Sequence, residues 1–315
     1  MNSHDKNLRR YFQHLRIEKN LTQNTIAAYA MDLEKWLQYV DATEKDYLNV
    51  CLDDFHNFAA CISDLGISSR SLARILSGVR SFYRFLTIDG ILPSDPTELL
   101  ENPTLPQQLP EVLTVEEIDS MIEAVDCSTD EGHRNRAILE VLYSCGLRVS
   151  ELCDLKMSGL YLDEGYIRVM GKGRKERLVP ISPRAVNELR DWFACRNLMR
   201  IKEGSEDFVF ISHRRGTSLG RHMVFRIVRA QAAAVGITKT ISPHTFRHSF
   251  ATHLLEGGAN LVAIQAMLGH AYIGTTEIYL HIDRSRLRDE ILLHHPREQF
   301  CRAEALKAAR GERIR

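Results

Sequence analysis

Nowhere in the 315 residues does an apolar run approach the roughly 18 positions that a membrane-spanning helix needs, so no membrane insertion is expected. The start of the chain, Met1-Asn2-Ser3-His4-Asp5-Lys6, lacks the basic-then-apolar order of a secretory signal and leads straight into an amphipathic helical pattern. Cysteines are present but unpaired in pattern: seven lie scattered at 51, 61, 127, 145, 153, 195 and 301, with no CxxC. That excludes a zinc ribbon and a disulfide framework, and is expected of reduced thiols in the cytoplasm. Internal repeats and low-complexity segments are missing too. With 44% hydrophobic and 26% charged residues, the composition excludes a disordered or fibrous chain. Overall charge is also missing, since 41 Lys+Arg face 41 Asp+Glu.

The distribution of charge is not even. Residues 1–105 hold 11 basic and 14 acidic residues, whereas 165–250 hold 17 basic against 6 acidic, an excess of 11. A basic block in an otherwise neutral protein fits a polyanion such as DNA or RNA, and equally a solvated surface whose acidic partners lie elsewhere.

At roughly 150 residues per domain the length suggests two domains. In the first hundred residues the apolar positions recur with helical spacing. Leu8, Tyr11, Phe12 and Leu15 mark one helix; Ile26, Tyr29, Leu33, Trp36 and Val40 a second; Phe55, Phe58, Ala59 and Ile62 a third. The fourth buries Leu72, Ile75, Leu76, Val79, Phe82, Tyr83 and Leu86, and turns Arg70, Arg74, Arg80 and Arg84 to its other face. Proline is scarce except in one place, where five of nine fall at 93, 96, 103, 106 and 110, too dense for a regular element. We therefore divide the chain into a helical domain (1–105), a Pro-rich linker (106–112), a second domain (113–297) and a tail (298–315). Thr114-Val115-Glu116-Glu117 reads as a capping box that opens the second domain. This domain is mostly helical. It carries a predicted hairpin, Tyr166–Met170 and Arg177–Ile181, with Lys172 in the turn and a short third strand at Phe208–Ile211. Further helices are expected near 184–203, 220–235, 245–256, 260–268 and 276–293.

Three familiar chemistries lack their motifs. His244-Thr245-Phe246-Arg247-His248 has no HExxH glutamate, and its arginine opposes a Zn²⁺, so no metal is expected. Gly171-Lys172-Gly173 does not fit the P-loop frame, and no GxSxG elbow occurs. What remains is a set of cationic or protonatable groups at element ends, namely Arg148, Lys172, His244, Arg247 and His270, together with Tyr279. Each alone reads as well as a salt bridge or a core residue. Together they suit phosphodiester transfer: arginine forks and imidazoles stabilise the charge on the phosphate oxygens, a tyrosine attacks phosphorus, and a lysine protonates the leaving oxygen.

The string Leu142-Tyr143-Ser144-Cys145-Gly146-Leu147-Arg148-Val149-Ser150-Glu151-Leu152 resembles the first arginine motif of the tyrosine recombinase (phage integrase) family. Ser242 to Leu255 and Leu268 to Ile282 resemble its HxxR and LGH…Y motifs, and Lys172 stands at its hairpin lysine. Leu21 to Tyr29 resembles its core-binding domain, and the likeness extends to His294-His295-Pro296-Arg297. The pattern is closest to the Xer recombinases, XerD type. The resemblance implies a mainly α, two-domain fold: a four-helix SAM-like core-binding domain and an α-rich catalytic domain with a small β-sheet. It implies Tyr279 as nucleophile, Arg148 and Arg247 on the scissile phosphate, His244 in proton transfer, His270 as donor, Lys172 as general acid and Glu151 in support, with no cofactor. The partners it implies are a double-stranded DNA recombination site clamped between the domains, a second Xer-type recombinase in a cyclic heterotetramer, and a septal DNA translocase. The implied location is the nucleoid. Candidate DNA contacts are Arg70, Arg74, Arg80, Arg174, Lys175, Arg221, Arg226 and Arg229. The chain departs from the pattern at Ala271 and Tyr272, and the tail 298–315 extends past the usual end of Xer chains.

The expected activity is site-specific recombination through a 3′-phosphotyrosyl intermediate and a Holliday junction, resolving chromosome dimers at cell division. A transposon or phage integrase is the alternative within the family; the chain enters its helices within ten residues, leaving little room for an accessory arm-binding domain. A DNA-binding accessory protein without catalysis and a nicking-closing topoisomerase are the alternatives outside it.

Overall fold

The computed structural model describes residues 3–104, 111–171, 175–269 and 284–297, and the chain divides into two compact units, Met1–Gln108 and Leu109–Arg315. The linker positions 105–110, the hairpin tip 172–174, the segment 270–283 and the tail 298–315 lie outside the described residues. Among the described residues no helix is long and apolar enough to cross a membrane.

The first unit has four helices, α1 (Ser3–Ile17), α2 (Gln23–Ala42), α3 (Leu52–Asp64) and α4 (Ser69–Ile88). Thr22 and Ser68 cap α2 and α4 by accepting from the backbone N–H three residues on, which satisfies one of the donors that a helix start leaves open. The apolar stripes read from the sequence meet in one core, with aromatic side chains at its centre. Trp36 stacks on Phe55 at 4.5 Å, donates from Nε1 to the Tyr83 hydroxyl at 2.9 Å, and Tyr83 in turn donates to the Tyr47 carbonyl at 2.8 Å. The buried hydroxyl and indole thus find partners, as such groups must.

In the second unit, α5 (Val115–Glu123) begins at the capping box, where Thr114 accepts from Glu117 N and Glu117 Oε2 accepts from Thr114 N at 2.8 Å. Helix α6 (Asp130–Cys145) is buried on every side from Ala137 to Cys145, as a mostly apolar helical run requires, and its two polar members are partnered: Glu140 pairs with Arg297, and Ser144 Oγ accepts from Ser182 N. Around it lie α7 (Val149–Cys153), α8 (Pro183–Arg196), α9 (Arg221–Ala234), α10 (Pro243–Glu256), α11 (Leu261–Leu268) and α12 (Arg284–His294). Strands β2 (Tyr166–Met170) and β3 (Glu176–Pro180) form the expected hairpin, in antiparallel register from Tyr166↔Pro180 to Met170↔Glu176.

The third strand is not where the sequence suggested. Leu160–Tyr161 (β1) pairs with the outer edge of β2, while Phe208–Ile211 makes only single bridges, Lys156↔Phe208 and Ile211↔Ser218. The apolar run at 208–211 is apolar because it is core: Val209 and Ile211 are fully buried, and the Val209 carbonyl accepts from the Trp192 indole at 2.9 Å. Burial and strand pairing leave the same short signature in a sequence. Helix α8 also stops earlier than expected, at Arg196, whose guanidinium turns back onto the Glu206 and Phe208 carbonyls.

After α12 the chain enters the protein again. His295 is 1% exposed, and the buried Arg297 pairs with Glu140 and, at 2.8 Å, with Asp119.

Candidate active site

The site forms where three helix ends meet. Helix α6 stops at Gly146, which adopts φ 57°; a Cβ there would lie 2.4 Å from the Phe250 ring, so both the turn and the space demand glycine. Leu147 is buried and pins the turn, and Arg148 follows as the cap of α7. One helical turn on, Glu151 brings its carboxylate back to the same point. Its Oε2 accepts from Arg148 N at 2.9 Å and its Oε1 from Arg148 Nη1 at 2.8 Å.

Arg247 reaches this point from α10. Pro243 and Ser242 set the start of α10, placing His244 and Arg247 three apart on one face. Arg247 is 7% exposed, and donates through Nη1 to the Gly146 carbonyl at 2.8 Å and through Nη2 to the Leu268 carbonyl at 2.6 Å. Its Nη1 lies 3.8 Å from Glu151 Oε2. Helix α11 ends at Gly269 (φ 64°), leaving its last carbonyls open to donors. Arg148 Nη2 takes Gly269 O at 3.3 Å. Cations collect here because the negative ends of two helices converge.

A third arginine, Arg177 of β3, arrives from the hairpin. Its Nη1 and Nη2 donate to Glu151 Oε1 and Oε2, both at 2.8 Å, and its Nε to Met267 O at 2.8 Å. Sequence reasoning passed over this residue. The signal was there: Arg177 shares strand parity with Val179 and Ile181, the buried face, and a charge on an apolar face needs a partner.

Electrostatics follow from this crowding. Burial on its own would raise the Glu151 carboxyl, but the Arg177 hydrogen bonds and charge, with help from Arg148, hold it below the usual carboxylate range. Arg247 is pushed down to about 10, first by burial and then by Arg148, and so stays charged at neutral pH. Three guanidiniums around one carboxylate leave an excess of positive charge suited to a phosphate diester.

His244 is exposed at the start of α10. Lys172, Arg174, His270 and Tyr279 lie outside the described residues; Gly171, beside Lys172, closes the hairpin base by donating to Lys175 O at 2.8 Å. A cleft of about 550 Å³ opens beside Arg148, walled by Asp154, Met170, Gly171 and Lys156, whose Nζ sits 3.2 Å over the Phe208 ring. Among the described residues no group of three His, Cys, Asp or Glu side chains could hold a metal ion.

The candidate DNA contacts differ among themselves. Arg74 pairs with the fully buried Asp32, and Arg80 donates to Leu100 O, so both serve the fold of the first unit. Arg70, Lys175, Arg221, Arg226 and Arg229 are exposed, the last three along α9.

Comparison with known proteins agrees along the length of the chain. Residues 111–286 match the phage integrase family, and 8–90 match the phage integrase N-terminal SAM-like domain. The tyrosine recombinase XerD of Listeria innocua is 41% identical over 292 residues, covering 91% of this chain and 97% of that protein. That of Halalkalibacterium halodurans is 38% identical, covering 94% and 100%. Among solved structures, XerH site-specific recombinase bound to difH substrate in a pre-cleavage complex is 25% identical with a TM-score of 0.66, over 90% of this chain and 82% of that one. A lambda integrase dimer bound to a COC′ core site, 19% identical with a TM-score of 0.67 over 87% and 97%, shares the fold.

Proposed function

This chain belongs to the phage integrase family, and from that premise we propose how its residues share the work of cutting and rejoining DNA. It is a site-specific tyrosine recombinase, a DNA strand-transfer enzyme. The Tyr279 oxygen attacks the scissile phosphorus, the P–O5′ bond breaks, and a 3′-phosphotyrosine forms. Lys172 delivers the proton to the leaving 5′-oxygen, and His244 moves the proton of the nucleophile. Arg148 and Arg247 hold the non-bridging oxygens, with His270 as a further donor, so charge that builds in the transition state meets fixed positive groups. The phosphotyrosine keeps the energy of the broken bond, and religation by a second 5′-hydroxyl requires no nucleotide.

The observation that carries this reading is the gathering of Arg148 and Arg247, 99 positions apart in the sequence, around the one carboxylate of Glu151. We place the enzyme at a double-stranded chromosomal site in the nucleoid, in a cyclic tetramer with a second Xer-type recombinase, resolving chromosome dimers at division under a septal DNA translocase. Two things support this biological setting: relatives named XerD match nine-tenths of the chain, and XerH is solved on its difH site.

The test is a nicked suicide duplex bearing a chromosomal Xer-type site, incubated with wild type and with Tyr279→Phe. A covalent adduct in wild type alone is the expected result. An adduct that persists in Tyr279→Phe moves the nucleophile elsewhere.

A further inference from the structure

We propose that Arg177 is a positioning residue for strand cleavage: by saturating the Glu151 carboxylate it keeps that carboxylate from capturing Arg247, the second phosphate-binding arginine. The inference rests on the recombinase reading above and concerns a residue which that mechanism does not use.

An ionised carboxylate offers about four lone-pair sites. In Glu151 all four are taken, two by Arg148 (N and Nη1) and two by the Arg177 fork. Arg247 is left 3.8 Å away, outside hydrogen-bond reach, with its Nη groups resting on main-chain carbonyls instead. A neutral carbonyl gives up a guanidinium edge to a phosphate far more readily than a buried carboxylate does. Without Arg177, two acceptor sites on Glu151, a residue only 4% exposed, would fall open, with Arg247 as the nearest cation not already bonded to it. The cheapest repair is a tight Glu151–Arg247 pair, which would neutralise one arm of the phosphate clamp and pull it off position.

The same guanidinium also sets spacing. Its Nε holds Met267 O at the end of α11, and a Cβ on Gly269 would meet its Cζ, Nε and Nη1 at 3.1 Å. A Cβ on Gly171, at the hairpin base, would lie 3.5 Å from its Nη1. One planar fork therefore bonds Glu151 and the last turn of α11 and lies beside the hairpin base at once. Lysine carries the charge but not the planar fork: its single nitrogen cannot pair the two Glu151 oxygens in parallel and hold Met267 O as well.

The experiment measures single-turnover adduct formation on the suicide duplex, and DNA affinity separately, for wild type, Arg177→Gln, Arg177→Lys, Glu151→Gln and the Arg177→Gln/Glu151→Gln double variant. We expect Arg177→Gln to cleave about 100-fold more slowly, the scale of an ångström misplacement, while binding DNA within about threefold of wild type. Arg177→Lys should fall between, and it keeps the test open if Arg177→Gln does not fold. The double variant should cleave no more slowly than Arg177→Gln, because a neutral amide at 151 no longer competes for Arg247. On a methylphosphonate duplex, which lacks the charge that the clamp reads, the gap between wild type and Arg177→Gln should narrow. A merely structural role would give equal gaps on both substrates and a double defect equal to the product of the single ones; either result overturns the proposal, as does wild-type cleavage by Arg177→Lys. Absence of any wild-type adduct would instead overturn the recombinase reading, and this inference with it.

Discussion

Acid should loosen the second unit through one histidine. His295 is 1% exposed, its ring 4.7 Å from that of Tyr143 and 6.0 Å from that of Phe250. Burial, reinforced by the charges of Arg297 and His253, pushes its pKa down to about 3. An unfolded chain binds a proton at this position below about pH 6.5, and the folded chain does not until near pH 3, so the unfolded state holds more protons throughout that window. Stability is therefore complete above about pH 6.5 and falls as pH drops. Between pH 7 and pH 5 the loss from this group alone is about 2 kcal/mol, and each further unit costs about 1.4 kcal/mol. The two tryptophans fall one to each unit, Trp36 and Trp192, so in a Trp36→Phe background urea unfolding followed by fluorescence reports the second unit. Across pH 7 to 5, His295→Phe should flatten the stability curve by about 2 kcal/mol, leaving the slope due to His253 and the carboxylates. If the two proteins lose stability in parallel to within about 0.5 kcal/mol, the buried histidine is not held neutral and the reasoning fails.

Two further predictions concern stability. Gly146→Ala places a side chain at φ 57° and 2.4 Å from Phe250, and should cost about 2–5 kcal/mol from the left-handed backbone and overpacking together; a melting temperature within about 2 °C of wild type would refute it. Arg74→Met leaves the fully buried Asp32 without its half-exposed cation and should destabilise the first unit by about 1–3 kcal/mol, with Asp32→Asn in the same chain restoring most of the loss. An unchanged melt would instead assign Arg74 to the surface, free for DNA.

Much of the architecture could be read locally because it is encoded locally. The helical stripes of 8–86, the capping box at Thr114 and the hairpin strands depend on neighbours two to four positions apart, and a sequence displays such periods directly. The Gly-Leu-Arg turn was equally legible, since a glycine closing an apolar helical run signals the positive φ that Gly146 adopts; that the Phe250 ring also excludes a side chain there emerged only on folding. The reading went astray where one signature serves two states: Phe208–Ile211 is apolar from burial, and the sheet took Leu160–Tyr161 as its third strand.

Pairing of charges was decided by the tertiary structure. The arginines of α4 look alike in sequence, yet Arg74 is committed to Asp32, 42 positions away, and Arg80 to Leu100 O, while Arg70 and Arg84 stay exposed. In the same way Arg148 and Glu151 announce themselves three residues apart, but Arg177 joins them from 26 positions away and Arg247 stands by from farther still. A guanidinium is indifferent to sequence distance. Its partner is whichever buried oxygen the folded chain leaves within about 3 Å, and only after α6, α10, α11 and the hairpin have packed does that oxygen have an address.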